Sequence, residues 1–443
     1  MKTSPVILIF DVGKTNKKVI LFDDGYNMVW DDSVQFPEIT DPDGFPCDDL
    51  DGLSRWVRDT FHKLLQDRRF DIRAVNFSAY GASLVCLDDS LTPLIPLTNY
   101  LKPYPQKVLD KFYERYGGKI AFSKTTASPV LGSLNSGMQL YRIREEDPGV
   151  FAQIRYALHL PQYLSFLLTG SLHAEVTSIG CHTHLWDFTE NNYHAWTRKE
   201  GVLDKFPPIV SSDVLLHARD GKNKIPCGAG LHDSSAALIP YRMNQNKPFI
   251  LLSTGTWSIT LNPFNHTPLT TDELANDCLC YLDPSGNPVK ASRFFSGHEY
   301  DEQIKMICRY YRLPSDHFTK IDSIPAGIVS SPQSGIGDLA RFENPEEAYY
   351  ALMSGIVARQ IKSTGLIIGD SAVTTIFVDG GFSKNPVYMK LLAKGFPKCG
   401  LYAASVPQGS ALGAALIMHK HWNAKTVPRI GHFISYSNVT SDL

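Results

Sequence analysis

Val6-Ile7-Leu8-Ile9-Phe10 runs into Asp11-Val12-Gly13-Lys14-Thr15-Asn16-Lys17-Lys18 and leaves through Val19-Ile20-Leu21-Phe22. Two apolar runs of strand length flank a short polar turn. That is the pattern of a β-hairpin, with Gly13 expected to supply the backbone freedom a tight turn needs. The turn carries one carboxylate, hydroxyl and amide side chains, and three lysines around a glycine. Its N–H groups and ammonium charges suit a phosphate, and Asp11 suits a divalent cation. Most polar hairpin loops are solvated turns, so this loop alone does not decide a function.

A second stretch repeats the pattern half a chain later. Phe249-Ile250-Leu251-Leu252 enters Ser253-Thr254-Gly255-Thr256-Trp257-Ser258, and Ile259-Thr260-Leu261 leaves it. The repeat is one of pattern rather than of identity. Two such hairpins, one per half, are what a protein gripping one nucleotide between two related domains requires.

The 443 residues suffice for two or three domains. Hydrophobic residues make up 43% and charged residues 20%, the composition of an ordinary globular chain. A net charge of −2 gives no reason to expect nucleic acid or an anionic membrane as partner. No apolar run is long enough to span a bilayer and no signal peptide is read at the start, so a cytoplasmic protein is expected. The eight cysteines are scattered without a CxxC pair, as reduced structural thiols are. Cys181-His182-Thr183-His184 is the one metal-like cluster, and it lacks the spacing of a structural zinc site. The sequons at Asn265 and Asn438 carry no weight without secretion.

Along the chain, a third strand is expected from Met28, an amphipathic helix over 48–67, and strands over 72–77 and 84–87. The last two enclose Ser78-Ala79-Tyr80-Gly81-Ala82-Ser83, a polar bend that either lines a cleft or only connects. Helices are expected over 105–116, 136–144 and 160–168. Cys227-Gly228-Ala229-Gly230-Leu231-His232 then leads into Asp233-Ser234-Ser235-Ala236-Ala237, a helix start with Asp233 at or near the N-cap. Capping is the commoner fate of such an aspartate, but glycines that admit a second molecule to the backbone favour a catalytic one. Residues 241–248 are polar and mark the expected domain boundary and hinge. Beyond them come strands within 249–261 and at 278–282, and a helix over 301–311. A long helix from Pro345 to Gly369, a buried strand over 373–378, Asp379-Gly380-Gly381-Phe382-Ser383-Lys384-Asn385 and a helix from Pro386 follow. A strand at 401–404 and Gly409-Ser410-Ala411-Leu412-Gly413 complete the pattern. Strand–Gly-Gly–helix is a geometry in which a helix N-terminus meets a nucleotide.

These five blocks, in this order, resemble the FGGY family of carbohydrate kinases. The Thr254-Gly255-Thr256-Trp257-Ser258 form, Tyr80-Gly81-Ala82 and Pro161-Gln162-Tyr163-Leu164 look most like its rhamnulose and fuculose kinase branch. The resemblance implies an α/β fold of two actin-like, ribonuclease-H-like ATPase domains (1–243 and 244–443) around a nucleotide cleft. It implies that ATP is held by Gly13, Lys14, Thr15, Asn16, Lys18, Thr254, Gly255, Thr256, Gly380, Gly381 and Asn385. Asp11, with Asp233, would hold Mg²⁺. Asp233 would be the catalytic base, with the low pKa expected at a helix N-terminus. Tyr80, Gly81, Ala82, Ser83, Gln162, Tyr163, His232 and Asp233 would meet the sugar. One departure stands out. Many of these kinases grip the sugar with an Asp and an Arg after the second cleft strand. Here Leu97-Thr98-Asn99-Tyr100-Leu101-Lys102-Pro103-Tyr104 has neither, leaving Asn99, Tyr100 and Lys102 as substitutes.

The resulting expectation is an ATP- and Mg²⁺-dependent kinase acting on a ketose hydroxyl, foremost O1 of a 6-deoxy-ketohexulose. Xylulose, ribulose or glycerol is the alternative substrate. An actin-like ATPase that transfers nothing to a sugar is the rival of different class, and Asp233 argues against it. The partner is a small sugar, with dimerisation left open.

Overall fold

The computed structural model describes residues 4–221, 223–245, 247–325 and 336–436. The sequon at Asn438 and residue 246 of the expected hinge lie outside these. The opening stretch forms β1 (Ser4–Val12) and β2 (Lys17–Asp23), antiparallel as expected. Gly13 does not adopt a positive φ. Its value is space, since a Cβ there would lie 3.2 Å from the Asn16 carbonyl oxygen.

Strand β3 (Met28–Val34) extends the hairpin, and helix α1 (Leu50–Gln66) returns the chain to β4 (Phe70–Ala79), which pairs parallel with β1. Helix α2 (Leu160–Thr169) follows, then three strands that the sequence reading did not have: β5 (Leu216–Asp220), β6 (Asn223–Cys227) and β7 (Leu231–His232). Together they make a sheet of order β5-β6-β4-β1-β2-β3, with β7 also on β4. Residues 84–87 do form a strand, but it pairs with Tyr156–His159 in a separate two-stranded sheet.

Helix α3 (Asp233–Asn244) then leads to the second hairpin, β8 (Phe249–Thr254) and β9 (Ser258–Asn262). Strands β10 (Cys278–Leu282) and β11 (Pro288–Phe294) precede helices α4 (Ser296–Tyr311) and α5 (Pro345–Ile368). The chain ends with β12 (Thr375–Gly380), α6 (Pro386–Gly395), β13 (Gly400–Ser405), α7 (Gly409–Ile417) and β14 (His432–Ser435). The second sheet has the order β10-β11-β9-β8-β12-β13-β14. As in the first, the leading strand pairs antiparallel with its hairpin partner and parallel with the strand that follows the helix. Strands β11 and β14 are additions to the sequence reading. In β11 the apolar alternation is masked by Lys290, which is buried because Glu273 accepts from its ammonium at 2.7 Å.

Period-2 alternation explains how the layers stack. Ile7 and Ile9 of β1 face a core shared with Phe249 and Leu251 of β8, while Leu8 and Phe10 face α1 and α2. Ile250 and Leu252 face α4, α5 and α6 on the outer side. Helices α3 and α7 therefore lie between the two sheets and contribute Ala236, Leu238, Ala411 and Ala415 to the shared core. Gly413 of α7 lies so close to α3 that a Cβ would sit 1.9 Å from the Ala236 carbonyl oxygen.

The segment expected as a free polar hinge is tied down. Residues 241–244 are the last turn of α3, the Tyr241 hydroxyl donates to Asp379 at 2.7 Å, and the Asn244 side chain accepts from the Ile430 N–H at 3.2 Å. Rotation there would break contacts to the second half. No helix of the described residues is long and apolar enough to cross a membrane.

Burial leaves two histidines of the first half neutral. His159, hydrogen-bonded to the Ser136 hydroxyl, is pushed down to about 3 by burial. His184 is pushed down to about 4, also by burial, with Ser128 O at 3.1 Å and the Tyr113 hydroxyl at 3.2 Å from its two nitrogens. Both bind a proton more readily once unfolded, so their contribution is complete above pH 6.5 and lost on acidification towards pH 4 and below. At pH 5.5 each is expected to cost about 1 kcal/mol relative to neutral pH. Denaturant unfolding at pH 7 and 5.5 measures this, and His159→Gln should flatten the slope between them.

Candidate active site

The cleft between the hairpin ends holds a cavity of about 400 Å³ lined by Asp11, Lys18, Asp233, Asp379, Gly380, Gln408, Gly409 and Ser410, among others. Asp11 reaches it from the end of β1, Asp233 from the first position of α3, and Ser410 from the first turn of α7. The Ser410 hydroxyl lies 3.1 Å from both Asp11 carboxylate oxygens. The Lys18 ammonium donates to the Gln408 side chain at 3.0 Å, joining the two halves across the cleft.

Burial, and then the Asp233 charge, pushes the Asp11 carboxyl up to about 6. Asp233 is also pushed up to about 6 by burial, against hydrogen bonds from the Ser234 N–H and hydroxyl. The low value expected from the helix start is thus corrected: desolvation outweighs the helix end. The Asp233 side chain still opens onto the cleft, 36% exposed, with His232 Nε2 3.3 Å from its Oδ1.

Two carboxylates and a hydroxyl make an all-oxygen donor set of the kind Mg²⁺ takes, and their raised affinity for protons marks a place where positive charge is missing. The residues present therefore fit that ion.

A second cavity, also about 400 Å³, is lined by Thr254 and Gly381, the chain neighbours of Ser253 and Gly380 in the first. Thr254, Gly255, Thr256, Gly381 and Asn385 line it as the sequence implied, with Tyr300, Phe318 and Ile321 added as apolar walls. Thr254 fastens the two glycine turns together. Its hydroxyl donates to Asp379 O at 2.6 Å and accepts from the Phe382 N–H at 3.0 Å. Gly380 is required, with a φ of 89° and a Cβ position 1.9 Å from Thr254 O. Asn385 caps α6 through the Tyr388 N–H and spends its amide N–H on the Tyr349 hydroxyl.

Other expected residues are placed elsewhere. Lys14 pairs with Asp48 at 2.7 Å and Glu38 at 3.0 Å, and the Asn16 side chain accepts from Gln35 at 2.6 Å. Gly13, Lys14, Thr15 and Asn16 line neither cavity. Tyr163 is turned into the core between α1 and α2, its hydroxyl 2.9 Å from Ser54. Gln162 is fully buried and donates to Gly230 O at 2.9 Å, so it supports the Asp233 turn from behind. Gln162 and Tyr163 share one cause: both lie on the buried face of α2.

The Tyr80–Ser83 bend does border Asp233's neighbours. A Cβ on Gly81 would lie 2.6 Å from the His232 ring, so only glycine lets the bend pass that close. Ser83 donates to Thr98 O at 2.8 Å, and Ala82 O accepts from Gln139 at 2.7 Å. Tyr80 is packed edge-on against Tyr100, and its hydroxyl donates to Asp48 at 3.0 Å. Burial opposes the Asp48 charge, but hydrogen bonds from Lys14 and Lys17 outweigh it and hold the carboxyl below its ordinary range. Of the three substitutes for the missing Asp/Arg pair, Asn99 is occupied by Pro46 O and the Leu101 N–H, and Lys102 by Asp41 and Asp43. Tyr100 remains beside Tyr80. Sequence reading gave Asp48, Asp379, Gln408, Ser410 and Phe318 no role. Ser410 stood within a recognised block, whereas Asp48 was read as the first residue of the helix over 48–67, which begins at Leu50.

The comparisons with known proteins agree with this geometry. Rhamnulokinases from two strains of Klebsiella pneumoniae, MGH 78578 and 342, are each 28% identical over 243 and 240 residues, 52% of this chain and 47% of theirs. The chain thus spans about half the length of the curated relatives it matches. Among solved structures, a carbohydrate kinase from Novosphingobium aromaticivorans has a TM-score of 0.80 at 24% identity, covering 98% of this chain and 97% of that one. Ligand-bound xylulose kinase from Lactobacillus acidophilus gives 0.79 at 17%, covering 94% and 89%. Plasmodium falciparum glycerol kinase with ADP gives 0.77 at 16%, covering 95% and 90%. At these identities they establish the shared fold, two ribonuclease-H-like (actin-like) ATPase units. The N-terminal domain of the FGGY family of carbohydrate kinases matches residues 6–239, and the carbohydrate kinase FGGY C-terminal domain matches 246–334. The chain belongs to the FGGY family of carbohydrate kinases.

Proposed function

We propose that this protein transfers the γ-phosphoryl group of ATP to a ketose hydroxyl, foremost O1 of a 6-deoxy-ketohexulose such as rhamnulose or fuculose. The observation that carries the reading is the placing of Asp11 and Asp233 in one cleft cavity, with an apolar pocket lined by Thr254 and Gly381 next to the Ser253 and Gly380 that line the cleft. In this reading the adenosine occupies the Phe318 pocket and the phosphates extend past Gly380 and Lys18 towards Asp11. Mg²⁺ held by Asp11 and Asp233 would supply neutralisation of phosphate charge. Asp233 accepts the hydroxyl proton as the sugar oxygen bonds to the γ-phosphorus and the bond to the β–γ bridging oxygen breaks, leaving ADP. Residues 1–243 and 244–443 act as the two domains, and a cytoplasmic setting fits the substrates.

The deoxy-ketose assignment rests on the likeness to rhamnulokinase. ADP release over a panel of ketoses, deoxyketoses and polyols tests it. Preference for xylulose, ribulose or glycerol would move the substrate and keep the kinase. ATP hydrolysis without sugar dependence would overturn both.

Asp11→Ala is expected to raise the Mg²⁺ concentration for half-maximal activity by about tenfold, the lower end of losses seen when a metal site loses a supporting group. Titrating Mg²⁺ at fixed ATP measures the shift. An unchanged requirement would remove Asp11 from the metal site.

A further inference from the structure

The sequence cluster Cys181-His182-Thr183-His184 does not act together. His184 is turned away towards Ser128 and Tyr113. In its place the fold brings in His232, from the strand immediately before Asp233. Cys181, His182 and His232 are all buried, and one ligand atom of each lies within 4.8 Å of the others. Among the described residues, His232 Nδ1 is buried and has no hydrogen-bond partner, and the residue is only 3% exposed. An orphaned imidazole nitrogen beside a thiol and a second imidazole is costly without a ligand.

We propose that Cys181, His182 and His232 form an inhibitory site for a thiophilic divalent cation, Zn²⁺ first, distinct from the Mg²⁺ site. Sulfur and imidazole donors select zinc over magnesium, which takes oxygen. A tetrahedral zinc separates such donors by about 3.5 Å, so side-chain movements of about an ångström close the set. Binding forms a Zn–S bond and releases the Cys181 thiol proton to solvent. The Asp233 carboxylate stands outside this set, its Oδ1 3.3 Å from His232 Nε2. A cation seated there puts positive charge on the ring that touches Asp233 and lowers the basicity of that carboxylate, so the bound metal inhibits transfer. The site stands apart from the sugar's identity but its inhibitory effect rests on the assignment of Asp233.

The test uses the full chain after chelator treatment and dialysis. Added Co²⁺ reports the site without any activity measurement, because a thiolate ligand gives a ligand-to-metal charge-transfer band and tetrahedral coordination gives intense visible absorption. Expected results are one Co²⁺ bound per chain with both signatures, displacement by Zn²⁺, and loss of the charge-transfer band in Cys181→Ser. In the sugar-dependent assay with Mg²⁺-ATP in excess, Zn²⁺ should inhibit and a chelator should reverse it. Cys181→Ser and His182→Gln should each raise the inhibitory Zn²⁺ concentration by about tenfold or more with little change in zinc-free activity. Absence of the charge-transfer band, or equal Co²⁺ spectra in wild type and both variants, would overturn the site. A normal spectrum with no inhibition would leave the metal site standing and remove its link to Asp233.

Discussion

Asp233→Asn is expected to lower turnover by about 10²–10⁴-fold, the contribution of general base catalysis, while ATP binding and folding are retained. The amide keeps the shape of the side chain and can still accept from the Ser234 N–H, 2.6 Å away in the wild type. What it cannot do is take a proton. Burial has raised the wild-type carboxyl to about 6, so removing it also removes a buried charge that needs compensation, and the variant should be at least as stable. Single-turnover phosphoryl transfer, with nucleotide affinity measured separately by equilibrium binding, distinguishes the base from a positioning role. A variant that binds ATP normally and transfers at near the wild-type rate would place the base elsewhere, and Asp11 would be the next carboxylate to examine.

The same residue shows where sequence reading stops. Asp233 was legible because glycines and a helix start surround it, and Asp11 because a hairpin turn does. Both hairpins, the long helix after Pro345 and the Gly380-Gly381 turn carry local signals that the fold then uses. The electrostatics were not legible. The low pKa expected at the start of α3 came from a local rule, whereas the burial that overrides it comes from a cleft assembled from distant segments, Asp11, Asp379 and Ser410 among them. Tyr163 and Gln162 went the same way. They sit beside Pro161 in a familiar block, but which face of α2 meets the core is decided by β4 and α1. His232 and Cys181 are 51 positions apart, and only the passage of both against Gly81 brings them together.

The second large effect concerns the seam between the halves. Gly413→Ala is expected to destabilise the protein by about 1–3 kcal/mol, even though alanine is a better helix former than glycine by about 1 kcal/mol. The added methyl would lie 1.9 Å from the Ala236 carbonyl oxygen and 2.6 Å from its carbon. Both are backbone atoms in α3, so no side-chain rotation relieves the contact and the two helices must move apart. Their separation matters beyond stability, because α3 opens with Asp233 and α7 opens with the Gly409-Ser410 turn that meets Asp11. Activity per folded molecule should therefore fall along with the unfolding midpoint. Gly365→Ala is the control: it lies within α5, and nothing stands within 4 Å of its added Cβ. There the intrinsic preference acts alone, and a gain of about 0.5–1 kcal/mol is expected. Denaturant midpoints for the two variants should move in opposite directions. Were both to rise, α3 and α7 would have room to slide, and the cleft would depend on contacts other than this helix crossing to hold its two halves in register.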